Sequence, residues 1–144
     1  MKIRISLGLA LSIFYIAFAH SEELLKTTTT WEGGEIIYPK GKPEITSFKL
    51  KINEGDVAPF HCHPVPTLGY ILKGKIEIET KNGKKAIFNE GESVVEVFRT
   101  VHRGKAIGES VEVIVFYAGT TTMLNSVMSE ADPDFTFCND WKIE

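Results

Sequence analysis

The chain has 144 residues, enough for one domain of ordinary size. With 43% hydrophobic and 24% charged residues it has the composition of a folded protein, which excludes wholesale disorder and fibrous repeats. A formal charge of −3 offers no basic footprint for nucleic acid, and two cysteines are too few for a disulfide-framed miniprotein or a cysteine-rich zinc module.

Residues 1–19 read as a signal peptide. Lys2 and Arg4 form a basic start, Ile5 to Ala19 carries no charge, and Ala17-Phe18-Ala19 is a small-x-small cleavage pattern. The uncharged run is short of the roughly 18–20 residues that cross a bilayer as a helix. The alternative is an anchor that stays attached. Cleavage after Ala19 would leave a mature chain of charge −5 in an oxidising compartment, periplasmic or extracellular. His20 would then be the first residue. A terminal histidine can chelate copper, but only with a second histidine close by.

Residues 20–43 form a polar lead-in, loose through the threonine-rich stretch to Trp31. From Glu44 to Ala118 the pattern is short β-prone runs broken by turn signals. Phe48, Leu50 and Ile52 alternate with Lys49 and Lys51. Phe60–His63 and Gly69–Leu72 follow, then Lys75–Thr80, which alternates cleanly. Asn82-Gly83 predicts a hairpin with a type I′ turn, returning through Ala86–Phe88. Ser93–Phe98, Val101–Lys105 and Val111–Tyr117 complete the series. Such spacing predicts a single all-β sandwich or barrel. Met123–Met128 could form one helical turn at most. Residues 119–144 are a tail whose Phe135, Phe137 and Trp141 would pack across the outside of a sheet.

His61 and His63 are two residues apart, so in a strand both imidazoles project to one face and Cys62 to the other. That placement suits two nitrogens on one metal ion. Taken alone, an HxH pair is equally compatible with two histidines that hold nothing. The surroundings extend the pattern. Gly55, His61, His63, Thr67 and Gly74 keep the spacing of glycine, five residues, HxH, three residues, one position, six residues, glycine. Gly91 and His102 keep the spacing of a second glycine-to-histidine motif.

In these motifs the sequence resembles the cupin family. The first motif is specific. The glutamate usual in it is replaced by Thr67, and in the second motif Val97, Arg99 and Ala106 stand where a proline, a glycine and an asparagine are usual. The resemblance implies a double-stranded β-helix (jelly-roll) barrel with a divalent metal in one mouth: iron, zinc, manganese, nickel or copper. It implies His61, His63 and His102 as ligands, with Thr67 a weak ligand at the glutamate position, beside a small pocket lined by Phe and Ile side chains. It also implies a homodimer.

Glu96, on the strand leading to His102, is a candidate substitute carboxylate or catalytic base. The alternative is a solvent-facing strand residue. Arg99 and Arg103 flank the same strands and could attract an anionic substrate or be surface charges. Cys62 and Cys138 could form a disulfide that pins the tail to the histidine-bearing strand, or remain buried thiols. Two functions follow. One is an exported metal-dependent enzyme acting on a small organic molecule as a dioxygenase, isomerase or lyase. The other is a non-enzymatic module that binds a small ligand or metal. No nucleic-acid partner and no lasting membrane anchor are expected.

Overall fold

Strand alternation organises the molecule around one interior. The structure, a computed structural model, describes residues 20–134 and 136–139. The expected signal peptide, Phe135 and Trp141 lie outside the described residues. Nine strands run in chain order: β1 Pro43–Ile52, β2 His61–Cys62, β3 Thr67–Lys73, β4 Lys75–Thr80, β5 Lys85–Asn89, β6 Ser93–Val95, β7 His102–Ala106, β8 Val111–Thr120 and β9 Val127–Met128. A four-residue helix, α1, spans Thr136–Asn139. Among the described residues no helix is long and apolar enough to cross a membrane.

The strands form two antiparallel sheets, ordered β1-β8-β3-β6 and β5-β4-β7-β2-β9. On β4, Ile76, Ile78 and Thr80 are buried, while Lys75 is exposed and Glu77 and Glu79 half-exposed. On β8, Val111, Val113, Val115 and Tyr117 are buried in turn. Together with Ile52, Val65, Ile71 and Ala106 these side chains fill the space between the sheets. Each fully buried aliphatic side chain stabilises the fold by about 1.5–3 kcal/mol, so the two inner faces account for most of the driving force.

The Asn82-Gly83 hairpin differs from its predicted geometry. Only Gly83 has positive φ (87°), and the Gly83 amide donates to Thr80 O while the Thr80 amide donates to Lys84 O. The connection is therefore a type I turn closed by a bulge at glycine. Thr80 decides this: its hydroxyl engages the Asn82 side chain and accepts from the Lys84 amide, holding Asn82 out of the left-handed region.

Two further segments depart from the expected outline. Val127–Met128, read as a helical turn at most, adds an edge strand to the second sheet through Cys62↔Val127. The lead-in closes a turn by an isolated Thr29↔Glu35 bridge, and its Trp31 packs on the core beside Phe88 at 6.5 Å between ring centroids. Cys62 points away from the interior, as alternation requires, and forms a disulfide with Cys138. With Val127 the pair makes a small second cluster flanked by Phe60 and Val101.

Candidate metal centre

The pairing register assembles the site from two facing rows of residues. In one sheet, Thr80, His102, His61 and Met128 stand side by side through the pairs Thr80↔His102, His61↔His102 and His61↔Met128. In the other, Thr46, Tyr117 and Thr67 are paired neighbours. Glu96 completes that row: Leu68 pairs with Val95, and the Glu96 amide donates to Thr67 O at 2.9 Å. Directly opposed residues share a face, so Glu96 and Thr67 both look inward.

The three imidazoles lie within ring contact, with centroids 4.4–5.0 Å apart. Each donates from Nδ1 to a backbone carbonyl: His61 to Pro59 at 2.9 Å, His63 to Asn125 at 2.9 Å and His102 to Thr100 at 2.8 Å. A carbonyl can only accept, so Nδ1 must carry the proton and Nε2 is left to face the site. Outer hydrogen bonds of this kind orient histidines that ligate metals. Two of the three carbonyls lie two residues before the histidine they hold, which is a local chain effect. The third, Asn125, comes from the loop between β8 and β9, and its side chain is tied to Thr46 at 3.1 Å.

Glu96 is the fourth member. Its Oε2 lies 2.9 Å from His63 Nε2 and 3.1 Å from His102 Nε2, and its side chain is 15% exposed. His61, His63, His102 and Glu96 each offer a donor atom, all within 4.8 Å of one another, a group that could hold a metal ion. Adjacent donors on a six-coordinate ion with bonds of 2.0–2.2 Å sit about 3.0 Å apart, whereas a tetrahedral ion would spread them to about 3.4 Å. The two Nε2–Oε2 separations are ordinary hydrogen-bond lengths, close enough for the same atoms to share an ion. Two neutral-type nitrogens, a third beside them and one carboxylate also form a donor set that suits a borderline divalent ion.

The electrostatics follow from this packing. Burial, then the charges of His102 and His63, press the His61 pKa down to about 4. Burial also works to lower His102, but its hydrogen bond to Glu96 and the carboxylate's charge outweigh it and raise the imidazole above its ordinary value. Burial would raise Glu96; hydrogen bonds from His102 and His63 reverse this and hold the carboxyl well below the usual range. A metal ion held by these four residues would have to displace a proton from this shared network.

A family model described as a cupin domain matches residues 48–117. The chain belongs to the cupin superfamily. Among solved structures it is similar to the DMSP lyase DddQ from Ruegeria pomeroyi, at 19% identity and TM-score 0.53, covering 70% of this chain and 49% of that one. A double-stranded β-helix protein from Klebsiella pneumoniae matches at 16% identity and TM-score 0.51, covering 63% and 90%. The oxalate decarboxylase of Bacillus subtilis matches at 18% and 0.51, covering 58% and 23%. The chain thus spans about half the length of the lyase it resembles. No curated protein matches it in sequence.

The remaining candidates take definite places in this cupin barrel. Thr67 is 1% exposed, and its hydroxyl donates to Val65 O at 3.1 Å rather than to an imidazole. Arg99, at the usual glycine of the second motif, is the one non-glycine residue with positive φ (57°) among the described residues, which is the conformation that glycine adopts there most readily. Its amide donates to His63 O at 3.0 Å, and its guanidinium lies over the Phe98 ring. Arg103 faces outward from β7, paired with Glu79 at 2.8 Å and stacked on Phe60. His20 is exposed and takes no part in the cluster. Sequence reading passed over Tyr117 and Asn125. Nothing local marks either one, because β-sheet register and a loop carbonyl bring them to the site.

Proposed function

We propose that this cupin is a metal-dependent enzyme acting on a small organic molecule, with a divalent ion held by His61, His63, His102 and Glu96. One observation carries the reading: three imidazoles have Nδ1 committed to backbone carbonyls, two of them meet one Glu96 oxygen through Nε2, and all four donor groups lie within 4.8 Å of one another. His61, His63, His102 and Glu96 would hold the ion and would leave room on it for water or substrate. Such an ion supplies Lewis-acid or redox chemistry, depending on its identity. The chain holds the ligands in place and keeps the ring tautomers fixed through the three Nδ1 hydrogen bonds. The fold neighbours named as a DMSP lyase and an oxalate decarboxylase support lyase or decarboxylase chemistry within the dioxygenase, isomerase and lyase range. The alternative, a non-enzymatic module that binds a small ligand or metal, rests on the missing glutamate at Thr67 and the degenerate second motif; Glu96 beside the imidazoles supports the enzyme reading over it.

Export is part of the proposal. The charge-free run after Lys2 and Arg4 supports it, and so does the Cys62–Cys138 disulfide, which suits an oxidising compartment. The test is elemental mass spectrometry on untagged protein from the exported fraction, beside a His61→Ala/His63→Ala control. Near-stoichiometric metal in the wild type and none in the control is the expected result. Metal absent from both after reconstitution overturns the reading.

A further inference from the structure

The row opposite His102 and His61 contains a phenol that the ligand set does not use. Tyr117 projects inward from β8 between Thr46 and Thr67, with its ring 5.3 Å from that of His63. Among the described residues its hydroxyl has no hydrogen-bond partner. A phenol is protonated at neutral pH, so its O–H can donate. The ring is buried, but its hydroxyl is not among the enclosed polar atoms that lack a partner, so it stays reachable by a molecule entering the site.

The wall beyond Tyr117 leads outward. Phe48 packs on the Tyr117 ring at 5.6 Å and is still 40% exposed, although it faces the interior opposite Val115. Leu50, two residues on, is 36% exposed on the same face. The inner face of β1 is therefore an apolar edge open to solvent that joins the site through Tyr117 and His63. The charge of the centre selects among entrants. Three neutral imidazoles and one carboxylate leave a net positive charge on a divalent ion, which favours an anion.

We propose that the Tyr117 hydroxyl is the donor of a subsite for one oxygen of a small carboxylate bound at the His61/His63/His102/Glu96 centre, with the apolar remainder of that molecule lying against Phe48 and Leu50. The proposal rests on the metal reading above. It assigns Tyr117 a substrate-binding role and makes the ligand class a short-chain organic acid rather than a neutral sugar or a cation.

The test uses the mature, untagged protein loaded with cobalt(II), whose visible absorption reports changes at the ion, titrated with acetate as the carboxylate probe. Tyr117→Phe removes only the hydroxyl. Tyr70→Phe, on the outer face of β3, is the control for losing a phenol elsewhere. Expected results are equal cobalt stoichiometry in all three proteins, and acetate dissociation constants alike for wild type and Tyr70→Phe. For Tyr117→Phe the constant should rise about tenfold or more, as for loss of a hydrogen bond to a charged group. Equal acetate constants for wild type and Tyr117→Phe, with cobalt bound in both, overturn this proposal and leave the metal reading standing. The same holds if loaded wild type shows no spectral response to acetate. Wild type that takes up no cobalt overturns the metal reading and this proposal with it.

Discussion

The cross-strand placement of Glu96 gives a sharp test of the centre. Thr67 occupies the position where a cupin usually carries its ligand glutamate, and Glu96 is its neighbour across the β3–β6 ladder. Exchanging the two residues, as Thr67→Glu/Glu96→Thr, keeps the combined side-chain volume and moves the carboxylate one strand sideways. Residues opposed in this way have Cβ atoms about 4.5–5.5 Å apart, a gap that the longer glutamate side chain can span. The single variant Glu96→Thr removes the acceptor now 2.9 and 3.1 Å from two Nε2 atoms. Outer-sphere partners of metal ligands are typically worth 10–100-fold in affinity, so a charged donor in the cluster should be worth at least about 100-fold, or about 2.7 kcal/mol. Competition with a chromophoric chelator reads the metal dissociation constant, and circular dichroism confirms the fold of each variant. Glu96→Thr should weaken binding by about two orders of magnitude, and the exchange variant should recover at least half of the loss on a free-energy scale. Wild-type affinity in a folded Glu96→Thr protein would refute Glu96 as a ligand. A folded exchange variant as weak as the single one would refute the register argument.

Metal affinity should rise with pH across neutrality. The ion needs a bare Nε2 on His102, whose pKa lies above its ordinary 6.5, whereas His61, at about 4, has already lost its proton. Chelator competition between pH 5.5 and 8 reads this, and a flat profile contradicts it. Reduction of the Cys62–Cys138 disulfide, or Cys138→Ala, should destabilise the protein by about 4 kcal/mol, the loop-entropy value for partners 76 residues apart. Urea unfolding with and without reductant measures it, and coincident curves would show that the link does not constrain the unfolded chain. Gly74→Ala and Gly83→Ala separate steric clash from backbone strain, because φ is 80° and 87° respectively. At Gly74 a Cβ would meet Ser110 O at 2.6 Å, while at Gly83 nothing lies within 4 Å. Gly83→Ala should cost about 1 kcal/mol and Gly74→Ala at least about 2 kcal/mol more. Equal melting temperatures would contradict the clash.

What the sequence made legible is what depends on neighbours along the chain. His61 and His63 share a face because strand period is two, and the same rule sends Cys62 outward to its disulfide. Most strand boundaries fall within a few residues of their turn glycines for the same reason. The Asn82-Gly83 pair by itself points to the wrong turn type because the deciding contact is a side chain two residues away, on Thr80. Val127–Met128 carried too short an apolar run to reveal a strand, and only pairing with β2 makes it one.

The site is less legible because half of it is defined across strands. Along Val95-Glu96-Val97 the apolar neighbours on both sides gave contradictory signals, since alternation demands that one face be wrong for a charge. The structure resolves this: Glu96 faces inward, satisfied by His63 and His102, while outward-facing Val95 is covered by the lead-in, whose Trp31 amide bonds to its carbonyl. Both faces are buried, so alternation carries no information there. The register rule still supplies a search procedure. A ligand missing from one strand should be sought on the adjoining strand, at the residue directly opposed and hence on the same face. In this chain that residue is Glu96, and by the same row Tyr117 lies on the other side of Thr67. On the proposed metal reading, the threonine at position 67 marks a carboxylate placed one strand sideways in the sheet, facing the same three histidines.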